Sequence, residues 1–214
     1  MSVLVQLRRH VSELRACTDC ADMIRPVVTG EPVVSPVMLI GQAPGLREGP
    51  AGKPFAWTAG KTMFGWFAQL GLAEAAFRER VYMAAVCRCF PGKAPKGGGD
   101  RVPSADEVVR CSRHLAREVQ LLQPQLVIPV GKLAIAQVAP EVSQLIDIIG
   151  TRRRGRLAGV DVDVIALPHP SGASTWHRMA PGKALLAKAL DEIGRHPAWR
   201  SLVDQKGVPT GRAG

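Results

Sequence analysis

VMLIGQAPGLREGPAGKPF, residues 37–55, joins an unbroken apolar run to a loop holding four glycines and three prolines. An apolar run without alternation suits a strand buried on both faces, as in the interior of a parallel sheet. Glycine and proline at this density let a backbone approach another molecule closely. In open α/β sheets, ligands gather beyond the carboxyl ends of the strands. A buried strand is therefore expected over Pro36–Ile40, with the following loop as one wall of a binding site and polar Gln42 at its mouth.

Working outward, Ser2–Ala16 has the spacing of an amphipathic helix, with Val3, Leu7, Val11 and Leu14 on one face. Lys61–Gly71 reads as a helix ending on a glycine, and Arg80–Val86 as a second strand. Ser104 and Glu107 make a capping box that starts a long helix with an apolar stripe at Val108, Leu115, Val119 and Leu122. Gln125–Val130 is another short apolar run, closed by Gly131, and suits an interior strand. Val160–Leu167 alternates and leads into Pro168-His169-Pro170-Ser171. A last helix is expected over Gly182–Ile193. Strands alternating with helices predict a three-layer α/β/α sandwich with a central, mostly parallel sheet. Residues 1–203 form its single domain, and 204–214 form a loose tail.

The chain carries 28 basic and 18 acidic residues, a net charge of +10. Such an excess points to a polyanion, nucleic acid before an anionic membrane. The basic, glycine-rich segment 92–103 offers Lys93, Lys96 and Arg101 to phosphates, or else is a surface loop. Arg152-Arg153-Arg154 and Arg156 read as a second such run or as a solvated face. No apolar run approaches a membrane span, and MSVLVQLRRHVSEL lacks a signal-peptide core. A cytoplasmic monomer at the bacterial nucleoid is expected, with its cysteines reduced.

Cys17 and Cys20 form a CxxC pair, and Cys87, Cys89 and Cys111 follow far downstream. Thiolates from separate elements suit tetrahedral zinc or an iron–sulfur cube, which spacing does not separate; buried inert thiols are the plainer reading. A thioredoxin-type redox pair fits poorly, because this CxxC follows a helix instead of opening one after a strand.

CxxC at 17–20, GQAPG at 41–45, GKPF at 52–55, VYMAAVCRCFP at 81–91, Cys111 and HPS at 169–171 occur in an order that resembles the uracil-DNA glycosylase superfamily. Within it, the resemblance is to the iron–sulfur-bearing groups called families 4 and 5, over about residues 14–178. It implies a [4Fe–4S] cluster on Cys17, Cys20, Cys89 and Cys111, with zinc as the alternative and Cys87 a spare core thiol. It also implies a DNA partner carrying uracil or another deaminated base, flipped out of the stack for cleavage.

By the same resemblance, His169 donates to the departing base, Phe55 stacks on it, and Ser171 and Arg178 contact phosphates. Gly41 and Ala43 bring the loop backbone close to the flipped nucleotide. Gln42 stands where family 4 has a glutamate; an amide orients water but takes no proton. Ala85 stands where the family has an asparagine that reads the uracil edge. That departure opens the way to hypoxanthine or xanthine as the excised base. Loss of the acid at 42 equally admits a non-catalytic binder of uracil or abasic DNA. No histidine lies between Cys89 and Cys111, which disfavours the covalent capture of a related crosslinking group.

Overall fold

Val37–Gly41 (β1) is buried at every residue, as an unbroken apolar run requires in a sheet covered on both faces. Around it the computed structural model describes residues 1–95, 97, 99–172 and 174–205. Lys96 and positions 206–214 of the expected tail lie outside the described residues. The helices are α1 (Val3–Arg15), α2 (Glu48–Ala51), α3 (Thr58–Ala68), α4 (Glu74–Arg80), α5 (Ala105–Leu122), α6 (Lys132–Ile135), α7 (Gly182–Arg195) and α8 (Pro197–Val203). The other strands are β2 (Tyr82–Ala85), β3 (Leu126–Pro129), β4 (Arg152–Leu157) and β5 (Val160–Ile165).

The sheet order is β2-β1-β3-β5-β4. The first four strands are mutually parallel, and β4 alone runs antiparallel, against β5. The chain leaves β1 toward β2 on one side and later places β3 on the other. Such a reversal opens a crevice at the carboxyl ends of β1 and β3. The expected architecture is present, and no helix among the described residues is long and apolar enough to cross a membrane.

Local chemistry sets the elements. Ser2 Oγ accepts from the Val5 N–H and starts α1, whose buried face is Leu7, His10, Val11 and Leu14. The capping box is formed in full: Ser104 Oγ accepts from Glu107 N, and Glu107 Oε2 accepts from Ser104 N at 2.7 Å. Glu107 also takes both guanidinium nitrogens of Arg101, which holds its carboxyl down at about 2.

Four expectations need correction. Arg80 ends α4 and does not belong to the second strand, which begins at Tyr82 once the apolar residues enter the sheet. The third helix starts earlier, at Thr58, and stops at Ala68, because Gly71 beyond it takes φ +91°. The arginine run at 152–156 is not a loop but strand β4, with Arg152, Arg154 and Arg156 on a solvated face. It is held by ion pairs from Arg152 and Arg154 to Asp163 on β5. Finally, α8 follows α7 after a sharp turn at His196, whose Nδ1 accepts from Ala198 N.

Candidate active site and thiol cavity

Two glycines at the ends of neighbouring strands make room for two rings. Gly41 closes β1, and a Cβ there would lie 3.1 Å from Cζ of Phe55. Gly131 follows β3 with φ +83°, and a Cβ there would lie 3.3 Å from Cδ2 of His169. The rings of Phe55 and His169 are thereby laid against backbone at the mouth of the crevice. Between them opens a cavity of about 540 Å³, lined also by Gln42, Ala43, Glu48, Ala85, Arg88, Lys93, Asp100, Arg101 and Ser171.

Phe55 is held in an uncommon backbone state, φ +54°. Three features sustain it. The Glu48 carboxylate takes the backbone N–H groups of Phe55 and Gly45. Arg78 Nη2 donates to the Phe55 carbonyl at 3.3 Å. Gly60 leaves space for that same carbonyl, which a Cβ would meet at 1.8 Å. Gln42 is anchored through its backbone, since the carbonyls of Gly41 and Gln42 accept from Val86 and Cys87 N–H and extend the β1–β2 ladder.

His169 Nδ1 accepts from the backbone N–H of Ser171 at 3.3 Å. An acceptor at Nδ1 places the proton of a neutral imidazole on Nε2. Burial lowers the His169 pKa, with the nearby Asp100 acting in the opposite sense. The group is therefore a neutral N–H donor at physiological pH. Glu48 is the second unusual acid: burial pushes its carboxyl up to about 7, against the pull of its two backbone donors.

Gln42, Gly41, Ala43, Phe55, His169, Ser171, Lys93 and Arg101 all line this one cavity. Lys93 and Arg101 do so as ion pairs, Lys93 with Asp100 at 2.7 Å and Arg101 with Glu107. Arg178 lies outside it, exposed on the 3₁₀ turn Trp176–Arg178, with Nε 3.4 Å from His177 Nε2. Sequence reading missed Glu48, Asp100 and Arg88. Their residue types gave no signal, because what distinguishes them is their place at the cavity wall, Arg88 buried, Glu48 half-buried and Asp100 exposed.

Cys17, Cys20, Cys89 and Cys111 line a second cavity, together with Arg25, Arg88 and Arg110. The four thiols come from the end of α1, from the turn after β2 and from α5. Burial raises Cys20 and Cys89, and ionised neighbouring cysteines raise them further. Cys111 is lowered chiefly by its neighbour Cys87, which puts the spare thiol beside a cavity sulfur. A tighter mixed group, Cys17, Asp19 and His114 within 4.8 Å, also exists, but Arg113 already holds Asp19.

Arg88 lies between the cavities and lines both. Its Nε donates to Ala85 O at 2.9 Å, and its Nη2 pairs with Glu118, which also accepts from the Tyr82 hydroxyl at 2.8 Å. All three side chains are buried.

Fold and cavity together define an α/β protein with a ligand site at the switch point of its sheet. Residues 28–194 match the model of the family described as "Uracil DNA glycosylase superfamily". The chain belongs to that superfamily. It is similar to a type-4 uracil-DNA glycosylase of Pyrobaculum aerophilum, 30% identical over 139 residues that cover 63% of this chain and 66% of the relative. A type-4 enzyme of Archaeoglobus fulgidus is 30% identical over 173 residues, covering 75% and 79%. A type-5 uracil-DNA glycosylase of Pyrobaculum aerophilum is 28% identical over 142 residues, covering 61% and 60%.

Proposed function

We propose that this protein is a DNA-repair glycosylase that draws a uracil nucleotide into the cavity and hydrolyses its N-glycosidic bond, leaving an abasic site. The observation that carries this is the neutral Nε2–H donor of His169 in one cavity with the Phe55 ring. Flipping unstacks the base, and an aromatic face offsets part of that loss. As the bond from C1′ to the base breaks, its electron pair moves onto the base and charge collects on a carbonyl oxygen of the departing uracil anion. His169 Nε2–H stabilises that oxygen without surrendering a full charge of its own. The sugar becomes an oxocarbenium-like electrophile, and water adds to C1′. Gln42 orients that water; the proton it sheds goes to the Glu48 carboxylate, the acid that position 42 lacks.

This assignment has a pH signature. Glu48 is protonated below about 7 and ionised above it, whereas burial lowers His169 and favours its neutral form. The single-turnover rate is expected to rise as pH increases through about 7, and Glu48→Gln to flatten the step. A wild-type profile without an inflection there would remove Glu48 from the chemistry.

Ala85 at the end of β2 supplies no edge-reading amide, and this favours a second substrate arm. Strand cleavage after alkali, on oligonucleotides carrying uracil, hypoxanthine or xanthine, tests both; no cleavage of any would overturn the enzymatic reading.

The thiol cavity fits a [4Fe–4S] cluster on Cys17, Cys20, Cys89 and Cys111, with arginines beside it to balance thiolate charge. Among the described residues, no three of these sulfurs lie within 4.8 Å of one another. Tetrahedral zinc, with Zn–S bonds of about 2.3 Å, needs its sulfurs about 3.8 Å apart. When bound, the cluster supplies a cross-link that ties the end of α1 to the Cys89 turn and α5. Purified protein is expected to be brown and to contain iron. Cys89→Ser should abolish the colour, whereas Cys87→Ser should retain it; stoichiometric zinc without iron would contradict this.

DNA as partner agrees with the +10 charge.

A further inference from the structure

We infer that Trp57 and Arg47 form a stacking platform for the nucleobase next to the flipped nucleotide, in a strand opened out of its duplex. The inference rests on the glycosylase reading but concerns a surface that reading does not use.

Trp57 follows Phe55 by two residues and opens α3 in extended backbone, φ −125°. Phe55 and Trp57 both line the cavity, yet Trp57 as a residue is 55% exposed. The Arg47 guanidinium covers one face of that ring, its Cζ 5.4 Å from the centroid. One indole face is thus held by a cation, and the rest is open beside the base cavity. Leu46, 51% exposed, continues the same apolar rim.

The platform sits on a rigid turn. Trp57 caps α3 two residues after Phe55, whose carbonyl Arg78 and Gly60 hold in place. A preorganised aromatic face loses little freedom when a base lies on it. Electrostatics favours the same surface. Arg47, Lys53 and Lys61 make no salt bridge with a described residue, whereas Lys93 and Arg101 are spent on Asp100 and Glu107. Arg47 stands over the indole, and Lys61 follows one turn on in the helix that Trp57 caps.

The occupant follows from these features. A flat π-face with a stacked guanidinium suits a base without regard to its identity. Extruding one nucleotide uncovers the face of its neighbour, and the platform adjoins the cavity that receives the extruded one. An intact duplex presents no such face.

The test uses full-length protein in the His169→Ala background, so that the substrate persists, and single-stranded oligonucleotides carrying uracil. 2-Aminopurine is placed beside the uracil in one oligonucleotide and several positions away in another. Binding is expected to quench Trp57 emission and to change 2-aminopurine fluorescence only at the adjacent position. Trp57→Ala should weaken binding about ten-fold or more, the loss of one base stack, and Trp57→Phe should restore most of it. Unchanged affinity and an unchanged 2-aminopurine response in Trp57→Ala would overturn the platform. Excision by the protein with native His169 is measured in parallel. If that fails while Trp57→Ala still weakens binding, the functional reading falls and the platform stands.

Discussion

His169→Ala is expected to slow single-turnover excision of uracil by about 10²–10³-fold, the typical loss for one donor aimed at developing negative charge. The size follows from geometry. His169 is placed by Gly131, which accommodates its ring, and by Ser171 N–H, which leaves the proton on Nε2. Gln42→Ala should cost less, because an oxocarbenium-like sugar still finds water, and Gln42→Glu should keep or raise the rate by adding a base. Wild-type rates in His169→Ala, or complete loss in Gln42→Ala alone, would overturn these roles.

The largest expected effect on stability belongs to Glu118→Ala. Glu118 is fully buried, Arg88 nearly so, and the two face each other with the Tyr82 hydroxyl as a further donor. Removing the carboxylate leaves a guanidinium in the core without its counter-charge, a change of about 3–5 kcal/mol. In a chain of this size each kcal/mol shifts the melting temperature by roughly 2–4 °C, so scanning calorimetry should register a drop of about 6–20 °C. Arg88→Met combined with Glu118→Leu should recover much of it, since apolar groups of similar size replace a buried pair well. A single variant that melts with wild type would show that water reaches the pair.

The interior strands and the capped helix were legible because burial on both faces leaves no polar residue in β1 or β3, and because Ser104 and Glu107 act within one turn. The motif residues of the cavity were legible for a related reason: Gly41 and Gly131 are local requirements for ring placement. β4 was not. Its arginines and glycine resemble a solvated run until Asp163 on β5, six residues past the strand's end, supplies their partner. Glu48 and Trp57 escaped for opposite reasons. An acid in a glycine-rich loop gives no sign that it will be half-buried, and an aromatic two residues from Phe55 gives no sign that it will be left outside. Both are decided by how the loop folds back on α3. The place of Cys87 depends likewise on a neighbour, Cys111, that lies far along the chain.

β4 also forms one border of the sheet, and among the described residues its outer row of backbone groups faces no further strand. Such a border is a template on which another copy could grow. Here it carries Arg152, Arg153, Arg154 and Arg156, against Asp161 and Asp163 on the adjoining strand. Two such borders would meet with a surplus of like charge, which disfavours pairing edge to edge.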